Sequence, residues 1–184
     1  MTTGGGTVDA PPHLVLVGLP GSGKSTVGPL LAEALGAGFI DLDQEIERRE
    51  RMTVGEIFAS RGEEAFRATE RALTRELASR PPMVISPGGG WMAGTGNVAL
   101  LRPPARIIHL VVSVPTALAR LGPEVGRRPL LAGPAAASQL EALAAARMPL
   151  YSSADGAIDT ESLTPQQVAS FGLRLALAWG WPIG

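Results

Sequence analysis

The chain has 184 residues, enough for one domain with a proper core, and its net charge of −1 gives no overall basic field for nucleic acid or an anionic membrane. A composition of 45% hydrophobic and 18% charged residues is globular, not disordered. Cysteine is absent, which excludes disulfides, thiolate metal sites and thiol catalysis and fits a reducing, cytoplasmic setting.

Met1 to Pro12 is rich in Thr, Gly and Pro, with neither a cationic start nor an apolar stretch. It reads as a disordered tail rather than a signal peptide, and residues 13–184 read as a single domain. No apolar run reaches membrane-spanning length. His13–Val17 is a short apolar run predicting a buried strand. It enters Gly18-Leu19-Pro20-Gly21-Ser22-Gly23-Lys24-Ser25-Thr26, and a helix is expected over Lys24–Leu35, closed by Gly36. A brief strand at Phe39-Ile40 ends in Asp41-Leu42-Asp43, and a helix from about Gln44 to Arg51 follows. Thr53 to Glu56 is a capping box opening a helix through Phe58, and Gly62–Ser79 reads as a separate long charged helix.

Met83–Ser86 is a strand running into Gly88-Gly89-Gly90, and Ala105–Val112 is almost wholly apolar, as a central parallel strand is. Pro115 opens a short helix to Leu121. Residues 122–134, rich in Gly, Pro and Arg, read as a mobile loop; Ala135–Arg147 reads as a helix. A small strand at Ala157–Asp159 and a capping box from Thr164 to Gln167, with Pro165 at the first helical position, complete the order. Strands alternating with helices predict a parallel sheet covered on both faces.

Lys24 is the sole lysine against fifteen arginines. It stands where a compact point charge is needed: in Gly-x4-Gly-Lys-Ser, the P-loop, between a predicted strand and a predicted helix. Backbone N–H groups of Gly21, Ser22 and Gly23, with those of Lys24, Ser25 and Thr26 at the helix start, suit the phosphates of a nucleoside triphosphate. In such a loop the lysine reaches the β- and γ-phosphates, and Ser25 binds Mg²⁺.

The acceptor is not named by a P-loop. Asp41 and Asp43, two apart at a strand end, suit an arrangement in which one orders water around Mg²⁺ and the other meets a substrate hydroxyl; an acidic helix start reads equally well. Arg67, three residues before Glu70, has the spacing of an exposed helical ion pair. Three glycines after a buried strand point to a ligand or another backbone passing close by, or to a flexible loop. Arg128, in the 122–134 loop, is either a lid arginine for a transferring phosphoryl group or plain surface.

The series Gly-x-x-Gly-x-Gly-Lys-Ser-Thr, Phe39-x-Asp41-x-Asp43, Gly62-Glu63-x-x-Phe66-Arg67-x-x-Glu70, Gly88-Gly89-Gly90, Arg128-Pro129-Leu130-Leu131 and Arg147-x-Pro149-Leu150-Tyr151 resembles the shikimate kinase family. The resemblance runs from about Leu14 to Thr160. It implies an α/β, three-layer P-loop kinase fold: a five-stranded parallel sheet, flanking helices and a lid at about 122–134. It implies ATP and Mg²⁺ as cofactors, shikimate as small-molecule substrate, and a monomer that engages neither nucleic acid nor membrane.

Residue by residue, the resemblance gives Asp43 the hydroxyl to be phosphorylated, and Arg67, Gly89 and Arg147 the substrate, the arginines holding its carboxylate. Arg128 corresponds to the lid arginine that reaches ATP, and Ser25 and Asp41 to the Mg²⁺ side, Asp41 through water. Phe58, Phe66, Glu70, Pro129 and Leu130 would line or brace the pocket. Two arginine forks suit a planar carboxylate. Asp43, far too weak a base to ionise an alcohol in advance, would orient the hydroxyl and take its proton late.

Two features depart from the family pattern. Pro87 and Trp91 flank the glycines, where a small residue often follows, so Trp91 is expected either to reshape the pocket or to turn outward. Thr160–Pro165 lacks an arginine near the adenine; Arg120 is the candidate replacement. Trp179 and Trp181 are expected on the surface of the core. Another small-metabolite kinase, such as a gluconate kinase, is the runner-up. A non-catalytic ligand sensor would predict loss of Lys24, Asp43 or Arg128, and all three are present.

Overall fold

The computed structural model describes residues 12–123, 131 and 135–181. The strands are β1 (Leu14–Val17), β2 (Gly38–Asp41), β3 (Met83–Ser86), β4 (Arg106–Val111) and β5 (Gly156–Asp159). They form one parallel sheet in the order β2-β3-β1-β4-β5. The helices are α1 (Lys24–Leu35), α2 (Leu42–Glu50), α3 (Val54–Leu77), α4 (Asn97–Leu101), α5 (Val114–Leu121), α6 (Ala136–Tyr151) and α7 (Pro165–Ala178).

β1 is the middle strand, and each of its residues is almost fully buried. Alternate side chains of a strand point to opposite faces. Leu14 and Leu16 accordingly pack with Leu31 of α1 and Val168 of α7, whereas Val15 and Val17 pack with Leu73 and Leu77 of α3 and with Leu140 of α6. One apolar tetrapeptide thus ties together both halves of a three-layer fold. No helix among the described residues is long and apolar enough to cross a membrane.

The helix ends follow local chemistry. α1 stops at Gly36 in the left-handed region, φ 62°. Capping boxes at Thr53/Glu56 and Thr164/Gln167 open α3 and α7. The two helices expected over 53–58 and 62–79 are both present, running end to end in α3 and separated at Gly62, whose φ of 81° and ψ of 167° are not helical. The expected break therefore stands, at a residue whose positive φ costs glycine little.

α6 continues past the expected end at Arg147 to Tyr151, with Pro149 in its last turn. The short 3₁₀ turn Trp91–Ala93 and α4 were not expected from the sequence. The Thr/Gly/Pro-rich tail, apart from Pro12, and most of the expected lid lie outside the described residues.

Candidate active site

The P-loop leaves β1 and enters α1. Gly21 and Gly23 have φ of 82° and 95°, conformations that other residues adopt only with strain. Gly23 is the N-cap of α1 and carries no side chain to occupy the first N–H groups, which leaves a helix start suited to an anion. Lys24 Nζ lies across the loop and donates to the carbonyls of Gly18 (3.0 Å) and Leu19 (3.1 Å).

Asp41 ends β2 and caps α2, its Oδ1 accepting from the backbone N–H of Asp43 (3.1 Å) and Gln44 (3.3 Å). Its Oδ2 accepts from the hydroxyls of Ser25 (2.7 Å) and Ser86 (3.2 Å). Capping therefore fixes Asp41 beside the P-loop serine. A hydroxyl and a carboxylate in contact form an oxygen donor set that fits Mg²⁺, an ion that takes few protein ligands and keeps waters and phosphate oxygens. No cluster of three or more His, Cys, Asp or Glu that could hold a metal occurs among the described residues. Ser86 had no motif to mark it; its pairing opposite Asp41 in the β2–β3 register brings it there.

A cavity of about 610 Å³ joins this phosphate side to an acceptor side. Lys24, Ser25, Asp41, Asp43, Arg67 and Arg147 all line it, with Gly88–Gly90 along one wall. Phe58 and Phe66, their ring centroids 5.1 Å apart, form part of its apolar surface, as does the fully buried Leu131. Arg147 is 7% exposed, and one turn further along α6 the Tyr151 hydroxyl donates to the Gly89 carbonyl (3.2 Å). Tyr151 also stacks on His109 of β4, centroids 4.6 Å apart. Burial, and secondarily the Lys24 charge, hold His109 below its ordinary value, favouring the neutral ring. Arg128, Pro129 and Leu130 lie outside the described residues.

Arg67 is braced by two carboxylates. Its Nη1 donates to Glu70 Oε2 (3.1 Å) and its Nη2 to Glu63 Oε1 (3.1 Å). Glu70 is 0% exposed and does not line the cavity; it stands behind Arg67. Burial pushes the Glu70 carboxyl up to about 7, with Arg67 pulling down and Asp43 adding to the rise.

Trp91 neither reshapes the pocket nor turns outward. It is 1% exposed, and its indole N–H donates to Thr74 Oγ1 (3.0 Å). Its carbonyl accepts from Asn97 Nδ2 (3.1 Å), which also approaches Glu70 Oε2 at 3.5 Å. The large side chain thus fills the space between α3 and α4, behind the acceptor wall. No sequence motif pointed to Asn97 or Thr74. Trp181 is buried and caps the α1–α7 layer through Leu35, and Trp179 lies over Arg106.

Arg120 of α5 donates to Thr160 Oγ1 (3.0 Å) and to the Thr160 carbonyl (2.6 Å). Glu161 accepts from Ser113 and Thr116. The segment after β5 is therefore strapped to the start and end of α5.

A phosphate cradle at the tip of the central strand, open to a cavity carrying a carboxylate and two arginines, has the fold and layout of a P-loop kinase of small molecules. The family model for shikimate kinase matches residues 20–174. A shikimate kinase from Thermobifida fusca is 42% identical over 159 residues, covering 86% of this chain and 91% of the relative. A solved shikimate kinase from Acinetobacter baumannii in complex with shikimate superposes with a TM-score of 0.87 at 35% identity, covering 93% of this chain and 96% of that one. The chain belongs to the shikimate kinase family. A gluconokinase from Sinorhizobium meliloti shares the fold alone, with a TM-score of 0.56 at 22% identity over 91% of this chain and 95% of its own.

Proposed function

We propose that the protein transfers the γ-phosphoryl group of ATP to the 3-hydroxyl of shikimate, giving shikimate 3-phosphate and ADP. The observation that carries this reading is the single cavity in which Lys24 and Ser25 face Asp43, Arg67 and Arg147. The P-loop N–H groups and Lys24 bind the phosphates; Lys24 exchanges its carbonyl partners for phosphate oxygens. Ser25 would hold Mg²⁺ directly and Asp41 through water, and that ion would offset charge on the β- and γ-phosphates.

Arg67 and Arg147 take the shikimate carboxylate as bidentate forks. Asp43 accepts a hydrogen bond from the attacking hydroxyl. As the new P–O bond forms and the bond to the ADP oxygen breaks, the hydroxyl proton passes to Asp43. Most of the acceleration comes from alignment and from cations already in place around the transferring group. Arg128 would add a further cation from the lid, and Arg120 with the Thr160 segment would border the adenine.

A coupled ADP-release assay with shikimate and gluconate tests this directly. Turnover on shikimate is expected. Turnover on gluconate with none on shikimate would overturn the assignment and favour the sugar-acid kinase alternative.

A further inference from the structure

Gly88, Gly89 and Gly90 are not glycines for the usual conformational reason. None of them has a positive φ, and Gly90 sits at φ −92°, ψ −1°, open to any residue. What they lack is room. A methyl group on Gly88 would lie 2.6 Å from Asp43 Oδ1 and 3.1 Å from Oδ2. On Gly89 it would lie 2.7 Å from Arg147 Nη1, with nothing else nearer than 3.6 Å. On Gly90 it would overlap Arg67 Nη2 and stand 2.9 Å from Cζ and 3.0 Å from Nη1. Each glycine faces one charged side chain, and each of those side chains faces the cavity.

We propose that the three glycines are positioning residues, one per charged group: Gly88 sets Asp43, Gly89 sets Arg147 and Gly90 sets Arg67. This rests on the acceptor-site roles proposed above. Consecutive Cα atoms are about 3.8 Å apart, so the turn spaces the three groups along one wall at single-residue steps. That order orients the acceptor. Its reacting hydroxyl lies at the Gly88 end, and its carboxylate lies towards Gly89 and Gly90.

The clashing atoms are the far ends of side chains, not backbone. An added methyl is therefore relieved by moving the functional group while the fold stays intact. Loss of alignment near a reacting centre is costly even for shifts of about 1 Å.

The test is a steady-state series with a double-mutant cycle. Gly88→Ala is expected to lower kcat about 10- to 100-fold with shikimate KM changed less than about 3-fold. Gly90→Ala is expected to raise shikimate KM about 10-fold, with the ATP KM unchanged. In an Arg67→Ala background, where nothing remains to be displaced, Gly90→Ala is expected to change kcat/KM for shikimate less than about 2-fold. Gly38→Ala, whose methyl meets nothing nearer than 3.8 Å, is the control and leaves both constants unchanged. If Gly90→Ala costs as much without Arg67 as with it, or if all three alanines depress every constant alike, the positioning proposal is overturned. Absence of shikimate turnover in the parent enzyme would instead remove the functional reading, and this inference with it.

Discussion

Glu70 has two partners that disagree about its charge. Arg67 favours the carboxylate, but complete burial and nearby Asp43 favour the acid, and the net result is a group titrating at about 7. Its ordinary value is 4.5, so between the two the unfolded chain releases a proton that the folded protein keeps. The stability that Glu70 contributes therefore falls as pH rises through that window. Glu70→Gln removes the slope: its melting temperature relative to the parent is expected to climb from about pH 5 to about pH 7.5, and a constant offset would contradict the assignment. For Asp43, the expected outcome concerns chemistry alone. Asp43→Asn keeps the shape and loses the proposed proton acceptor, so kcat is expected to fall about 100-fold or more, with shikimate affinity by calorimetry within about 3-fold. Near-normal turnover would mean that the hydroxyl is oriented by another group. Asp41 and Lys24 were legible in the sequence because each obeys a local pattern. The seat of Glu70 was not, because it depends on Asn97 and Trp91, which are far from it along the chain.

Among the elements, α1 is held against the sheet by a close contact. A methyl on Gly28 would overlap the ring of Phe39 on β2, and no such constraint shows in the sequence pattern of either element. Gly28→Ala is expected to cost about 1–3 kcal/mol through overpacking, read as a lower denaturant midpoint. An unchanged midpoint would show that the ring swings aside freely. The strand–loop–helix unit around the P-loop and both capping boxes were legible because their signals are contiguous. The break inside α3 was legible because Gly62 is a residue that ends helices; that the second helix follows with no loop between was not. The extension of α6 was hidden by Pro149, which in isolation argues for an end.

For the whole molecule, the sole lysine makes a single-site probe. An amine-directed reagent can modify only Lys24 and the chain N-terminus. ATP with Mg²⁺ is expected to protect Lys24, and intact-mass analysis reads the outcome; equal labelling with and without nucleotide would place the triphosphate elsewhere. The parallel α/β class was legible from alternation, but the order β2-β3-β1-β4-β5 was not, because nothing in a short apolar strand names its neighbours.

That order has a consequence of its own. β1 is a seam. Asp41, Asp43, Arg67 and Gly88–Gly90 hang from the stretch that builds β2, β3, α2 and α3, whereas Arg120 and the Thr160 segment hang from β4, α5 and β5. From the later half of the chain, Arg147 crosses into the acceptor wall together with the apolar Leu131 and Leu143. Residues 38–90 therefore carry most of the polar lining of the cavity in one contiguous stretch. Replacing them with the matching stretch of a P-loop kinase for a different metabolite is expected to exchange the acceptor, provided that an aspartate is kept at position 41 beside Ser25 and that Leu131, Leu143 and Arg147 are chosen afresh.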